Sequence, residues 1–171
     1  GEQLFAARWH CNTQNTVLIA ISELAYASNQ TEFDDALSYF NYPPQNVVYA
    51  DVKGNIGLLS AGNMPVHEDD YNGEFLDGTK SKTWSYVPYS ENLRTFNPDE
   101  NFVESANQNP GFPDHYLNFT WSMPWRGQRI REQLGAKEKH SIDDMAALHA
   151  DITDASIQPF QALFNKHFPS G

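Results

Sequence analysis

The 171 residues carry 22 acidic and 11 basic side chains, a formal net charge of −11, with 40% hydrophobic and 13% aromatic content. Such a composition excludes a wholly disordered chain, which has few aromatics and little to bury. It also opposes nucleic acid as a partner, because phosphate neutralisation needs clustered Lys and Arg.

The length fits a single domain over 1–171 with a sizeable core, and ten prolines point to generous loops. The longest apolar run, Val17 to Ile21, is broken by Ser22-Glu23. It falls far short of the ~20 residues of a membrane span, so no membrane partner is expected.

Leu4 to Trp9 reads as a short strand. Thr16 to Tyr26 places Val17, Leu18, Ile21, Leu24 and Ala25 at helical spacing. Thr31 fits the N-cap of a second helix, with Asp34 closing an imperfect capping box and Phe33, Ala36, Leu37 and Phe40 as its apolar stripe. That helix stops before Pro43-Pro44. Asn46 to Ala61 reads as a β-hairpin, in which Val47, Tyr49 and Asp51 alternate with Val48, Ala50 and Val52. Its turn, Lys53-Gly54-Asn55, supplies a glycine and an asparagine, the residues that take positive φ with least strain.

From Gly62 to Pro98 polar and turn residues dominate and no period persists. Loops this long in compact domains are usually functional or mobile. Here Phe75, Trp84, Tyr86, Tyr89 and Phe96 give the excursion material to pack, so an ordered loop is expected. Asn101 to Ala106 reads as another strand and Asn107 to Thr120 as irregular. A helix starts near Ser122, tolerates Pro124 in its first turn, and stops at Gly135 as C′ residue. Ser141 caps a further helix carrying Met145, Leu148 and Ile152 on one face. Ala155 to His167 forms the last helix, with Ile157, Phe160, Leu163 and Phe164 directed inward. The whole is a loop-rich α+β body.

Chemistry-bearing clusters are few. Cys11 adjoins His10, which suits a thiol nucleophile, but a lone cysteine is more often a small buried apolar residue. His67-Glu68-Asp69-Asp70, with Asp77 nearby, lacks the alternating ligands and turn glycine of a calcium loop and reads as a solvated acidic loop. The histidines form no His-x-x-x-His pair, and neither a Gly-x-Ser-x-Gly elbow nor a phosphate-cradling loop is present. The cations from Arg126 to Arg131, with Lys137 and Lys139, are diluted by Glu132 and Glu138 and read as a helix face.

One set of motifs says more. Tyr49-Ala50-Asp51-x-x-Gly54-Asn55-Ile56-Gly57 is followed by Ala61-Gly62-x-x-Pro65, and Trp84 precedes Tyr86-Val87-Pro88-Tyr89 and Asn97-Pro98. Then come Phe102 to Gln108, containing Ala106-Asn107-Gln108, and Trp125-Arg126-Gly127-Gln128-Arg129-Ile130. Ser141 to Met145 and Leu148-His149-Ala150-Asp151 close the series. In this order they resemble the penicillin acylase (penicillin amidase) family over most of the chain. Ser85-Tyr86 in place of the usual glycine region and Leu93-Arg94 at a common proline position are departures.

The resemblance implies part of the αββα core of an N-terminal-nucleophile hydrolase, with antiparallel strands, flanking helices and long ordered loops. It implies that Asn107 donates its side-chain N–H into an oxyanion hole. A neutral amide held at a strand end stabilises charge on a carbonyl oxygen without bringing a labile proton. Arg126 matches an arginine that organises the catalytic amine and that asparagine. A cation at a helix start opposes the macrodipole and so needs another contact. Two plainer readings stay open: Asn107 as a turn cap before Pro110, and Arg126 as part of a surface helix.

In the family, a serine at the N-terminus of the large chain attacks the amide, with its own α-amino group (pKa about 7.7–8.0) as base. Gly1 has no side chain for this. The resemblance therefore implies an internal segment of the large chain, inactive alone. Its partners would be the remainder of that chain, the small chain of the same precursor, and an N-acylated substrate of β-lactam, acyl-homoserine lactone or lipopeptide type. A periplasmic or secreted location is implied too. The family's calcium site is not carried over, because the register slips around Pro110-Gly111 beside Asp114, so no metal or cofactor is expected. The alternative is a non-catalytic extracellular binding module that stacks ligands on the aromatic-rich segment 71–96.

Overall fold

The computed structural model describes residues 4–5, 10–12, 14–66, 74–75, 77, 79, 85–111 and 120–168. Contacts divide the chain into two compact units, residues 1–98 with 111–120 and residues 99–110 with 121–171.

The first unit contains helices α1 (Val17–Leu24) and α2 (Gln30–Leu37), which pack on each other. Its strands are β1 (Gln45–Ala50), β2 (Ile56–Ala61), β3 (Pro65–Val66), β4 (Ser85–Tyr86) and β5 (Arg94–Phe96). The face of α1 that is turned inward differs from the expected one. Ala20 is fully buried with Val17 and Leu24 half-buried, while Leu18 and Ile21 are exposed, because the small Ala20 lets the helix sit close to its neighbours.

The cap of α2 also moves. Asn29 rather than Thr31 is the N-cap, its Oδ1 accepting the Glu32 N–H at 3.1 Å. Glu32 reaches back to the Ser28 N–H and hydroxyl, each at 2.7 Å. Asparagine outranks threonine as a cap, and the acid at the third helical position ties down the residue before the cap. Asp34 is thereby free for another role. Its carboxylate accepts the Tyr89 hydroxyl at 2.6 Å and Arg94 Nε at 3.1 Å.

The hairpin forms as its alternation predicts. β1 and β2 pair antiparallel from Gln45↔Ala61 to Ala50↔Ile56, with Val47 and Tyr49 half-buried and Val48 and Ala50 exposed. Only Gly54 takes positive φ in the turn, at +87°; Asn55 does not. Asp51 organises the turn instead. Its carboxylate accepts the main-chain N–H of Lys53 and Asn55, both at 2.9 Å, and the Asn55 amide and Tyr49 hydroxyl, both at 2.8 Å.

The aperiodic stretch after Gly62 holds three short strands. β5 pairs antiparallel with β2, Gly57 opposite Phe96, so the sheet order is β1-β2-β5; β3 and β4 form a separate pair. Leu37, Leu59 and Ala61 are the buried centre, with Leu24, Phe33, Phe40, Val47 and Tyr89 packed around them.

The second unit contains α3 (Trp125–Gly135), α4 (Ile142–His149) and α5 (Gln158–His167). Asn101 to Ala106 joins no sheet among the described residues, contrary to the strand expected there. The Glu104 side chain and the Ala106 main chain make tertiary polar contacts in place of a ladder. α3 ends without a left-handed C′ residue. Gly135 is still helical, Ala136 is right-handed, and the His140 ring nitrogen stands 2.8 Å from the Leu134 carbonyl, serving the helix end in its place. Ser141 and Asp144 cap α4 reciprocally, and Lys137 pairs with Asp144. Ile152 lies beyond that helix and is exposed. On α5 and the 3-10 turn before it the correction is larger: Ile157, Phe160, Leu163 and Phe164 are each more than half exposed, since no described residue of this unit covers them.

Several sequence expectations lie outside the described residues: most of the Leu4–Trp9 strand, the acidic run His67–Asp70, Trp84, Asp114 and much of the aromatic segment 71–96. Leu4 and Phe5, which are described, form no strand, and the Phe5 ring packs on Phe75 at 4.6 Å. Cys11 is exposed in a short 3-10 turn, not buried. Among the described residues, no helix is long and apolar enough to cross a membrane.

Candidate active site at Asn107 and Arg126

Two residues 19 positions apart in sequence meet in the second unit. Arg126 is the second residue of α3, and its Nη2 donates to Asn107 Oδ1 at 2.8 Å and to the Ala106 carbonyl at 2.6 Å. Those two oxygens answer the question raised by a cation at a helix start. The guanidinium faces partial negative charge from a neighbouring segment, which offsets the unfavourable helix dipole.

Asn107 sits in the left-handed region at φ +63°, a conformation that asparagine tolerates better than other non-glycine residues. Its main-chain carbonyl accepts the Ser122 N–H at 3.1 Å, just ahead of α3. Backbone and side chain are thus both tied to the α3 start. The bond to Arg126 also fixes which way the amide points. A guanidinium has five donors and no acceptor, so the atom facing it must be the amide oxygen. Nδ2 consequently points away, and it meets no acceptor among the described residues.

Further side chains, not singled out from the sequence, surround this pair. Gln108 Oε1 accepts the Ala106 N–H at 2.7 Å, and Gln108 Nε2 lies 3.1 Å from both carboxylate oxygens of Glu104. Arg131 Nε donates to Glu104 at 2.8 Å, and the Glu104 side chain is only 3% exposed. The signal in the sequence was slight: an acid and an amide four apart in a segment that is not helical. Arg129 pairs with Asp151 at 2.8 Å. The Asp151 carboxyl is held down to about 2, first by hydrogen bonds from Thr153 and then by Arg129. The arginines of α3 are therefore spent on internal contacts.

The arrangement offers a rigid, neutral N–H donor beside a fixed positive charge. Donors of that kind, where a site holds them, stabilise negative charge developing on a carbonyl oxygen.

The model of the penicillin amidase family matches residues 1–167. The chain is similar to the penicillin acylase 2 proenzyme of Pseudomonas sp. (strain SE83), 28% identical over 135 residues, 77% of this chain and 17% of that protein. It is also similar to the acyl-homoserine lactone acylase QuiP of Pseudomonas aeruginosa, 24% identical over 149 residues, 84% of this chain and 17% of that protein. Among solved structures, a thermostable penicillin G acylase from Alcaligenes faecalis shares the fold, with a TM-score of 0.72 at 23% identity over 91% of this chain and 29% of that one. The chain thus spans 17% of the length of these two curated relatives. The α+β architecture with antiparallel sheets and flanking helices is that of the matching part of the acylase fold. With 1–167 accounted for by one family model, the chain belongs to the penicillin amidase family.

Proposed function

We propose that the intact protein hydrolyses the amide bond of an N-acylated small molecule, and that Asn107 Nδ2 donates to the oxyanion of the tetrahedral intermediate. The observation that carries this reading is the 2.8 Å bond from Arg126 to Asn107 Oδ1, which aims the amide N–H₂ away from the guanidinium. The charge on Arg126 also polarises the amide and strengthens Nδ2–H as a donor.

The nucleophile in this reading is an N-terminal serine outside the 171 residues. In this reading these residues are an internal segment of the large chain; their covering 17% of the related acylases supports their being part of a longer protein. The serine hydroxyl passes its proton to its own α-amino group as the oxygen attacks the amide carbon. The C–N bond then breaks, the proton goes to the leaving amine, and water hydrolyses the acyl ester. Asn107 lowers the barrier of both steps, since each passes through an oxyanion.

Substrates of β-lactam, acyl-homoserine lactone or lipopeptide type fit this chemistry. The partners would be the remainder of the large chain and the small chain of the same precursor. Family membership supports a periplasmic or secreted location. The test is Asn107→Ala in the full-length protein: kcat should fall by about 10²–10³ while the fold is retained. Unchanged turnover would remove Asn107 from the mechanism.

A further inference from the structure

We infer that Gln108 is a positioning residue that sets the left-handed backbone of Asn107 and so aims its donor N–H; this rests on the oxyanion reading above. The Gln108 side chain folds back over Asn107, Oε1 taking the Ala106 N–H at 2.7 Å. A loop closed through side chain and main chain therefore encloses Asn107, whose φ is +63°. Left-handed backbone is unfavourable for residues with a Cβ, and a local side-chain bond of this kind holds it in place.

Gln108 is itself held from three directions. Its Nε2 lies 3.1 Å from both Glu104 oxygens, and Glu104 is anchored by Arg131 at 2.8 Å. Donor faces acceptor at both ends of the amide, so only one orientation satisfies the two bonds. The third constraint is steric. Buried Gly127, on α3, lies so close that a Cβ there would stand 3.0 Å from Gln108 Nε2 and 3.1 Å from its amide carbon. The next residue back is Arg126, which grips Asn107 Oδ1 and the Ala106 carbonyl. Arg126 thus fixes the rotation of the Asn107 amide, while Gln108 fixes the backbone from which that amide projects. The two constraints are complementary.

The test is a double-mutant cycle in the full-length protein, read as kcat and KM. Gln108→Met keeps the length and packing of the side chain but removes both hydrogen bonds. Misplacing a catalytic group by about 1 Å can cost about 10²-fold, so kcat should fall at least about tenfold with KM changed less than about twofold. In an Asn107→Ala background the same substitution should cost almost nothing further, because there is no donor left to aim. Full additivity of the two losses would overturn the inference, since Gln108 would then act by another route. Unchanged kcat in Gln108→Met would overturn it as well. If that variant does not fold, Gln108→Lys, which keeps a donor toward Glu104 but removes the acceptor toward Ala106, takes its place in the same cycle under the same criteria. Unchanged turnover in Asn107→Ala alone would instead sink the oxyanion reading, and this inference with it.

Discussion

Asn97 and Ile56 form a closed pair in which one residue uses its main chain twice and the other uses main chain and side chain. The Asn97 N–H donates to the Ile56 carbonyl at 2.9 Å, and Asn97 Oδ1 accepts the Ile56 N–H at 2.9 Å. Asn97 Nδ2 also donates to Asn55 Oδ1 at 3.0 Å, and the residue sits at φ +46°. Two motifs 41 residues apart, Asn55-Ile56-Gly57 and Asn97-Pro98, therefore serve one purpose. They finish the start of β2 where its neighbour β5 turns away.

Asn97→Ala should destabilise the protein by about 1–3 kcal/mol, from lost hydrogen bonds worth about 0.5–1.5 kcal/mol each and from strain at positive φ. Asn97→Gly should recover the strain and not the bonds, so its urea midpoint should fall between those of Asn97→Ala and the parent. Equal midpoints for all three would show that the pair contributes nothing.

Substitutions of Arg126 should sort by donor chemistry. Arg126→Met should lower kcat of the full-length protein by about tenfold or more, because the Asn107 amide loses the group that selects its orientation. Arg126→Lys, also donor-only, should retain more activity than Arg126→Gln, which can present either end of an amide. Gln equal to or better than Lys would contradict orientation as the role of Arg126.

Asp51 makes the hairpin turn sensitive to acid. Its carboxyl is held at about 2 against an ordinary 3.8, first by the Asn55 side chain and then by the Asn55 and Lys53 amides and Tyr49. A depressed folded-state pKa means that the stabilisation is complete above the unfolded value and is lost as pH falls through the folded one. The window therefore runs from 3.8 down to about 2. The thermal midpoint of the parent should drop more across this window than that of Asp51→Asn; parallel profiles would exclude the contribution.

Gly62 and Gly54 separate steric clash from backbone strain. Both have positive φ, at +120° and +87°, but a Cβ at Gly62 would stand 2.7 Å from Pro44 Cα whereas one at Gly54 meets nothing within 4 Å. Gly54→Ala should cost about 1–3 kcal/mol for conformation alone, and Gly62→Ala distinctly more. Urea denaturation of the two variants would show the difference; the reverse order would refute it.

The 171 residues prepared alone should not hydrolyse a chromogenic acyl amide, because the proposed serine is not among them. Turnover by the purified chain that a substitution within it abolishes would overturn the proposed division of labour.

Much of the first unit was legible because period and turn chemistry agreed in the hairpin. β5 was not, since three residues are too few to show alternation and its partner is distant in sequence. The cap of α2 was misplaced because Asn29 and Thr31 are both competent, and the choice depends on Ser28 and Glu32 acting together. Asn101 to Ala106 reads as a strand from the sequence, yet its contacts run through Glu104 and Ala106 to α3 and Gln108. The pairing of Asn107 with Arg126 followed only from family resemblance, because no local rule joins residues so far apart. Glu104 and Gln108 were missed for the same reason: their meaning lies in a non-helical fold-back.

The apolar stripe on α5 has a colloidal consequence. Ile157, Phe160, Leu163 and Phe164 offer a sticky edge to other copies of the chain, while a net charge of −11 keeps those copies apart. Salt shortens the reach of that repulsion, to about 10 Å at 0.1 M, and leaves the apolar attraction in place. Ionic strength is then one setting that governs whether this chain stays dispersed on the bench.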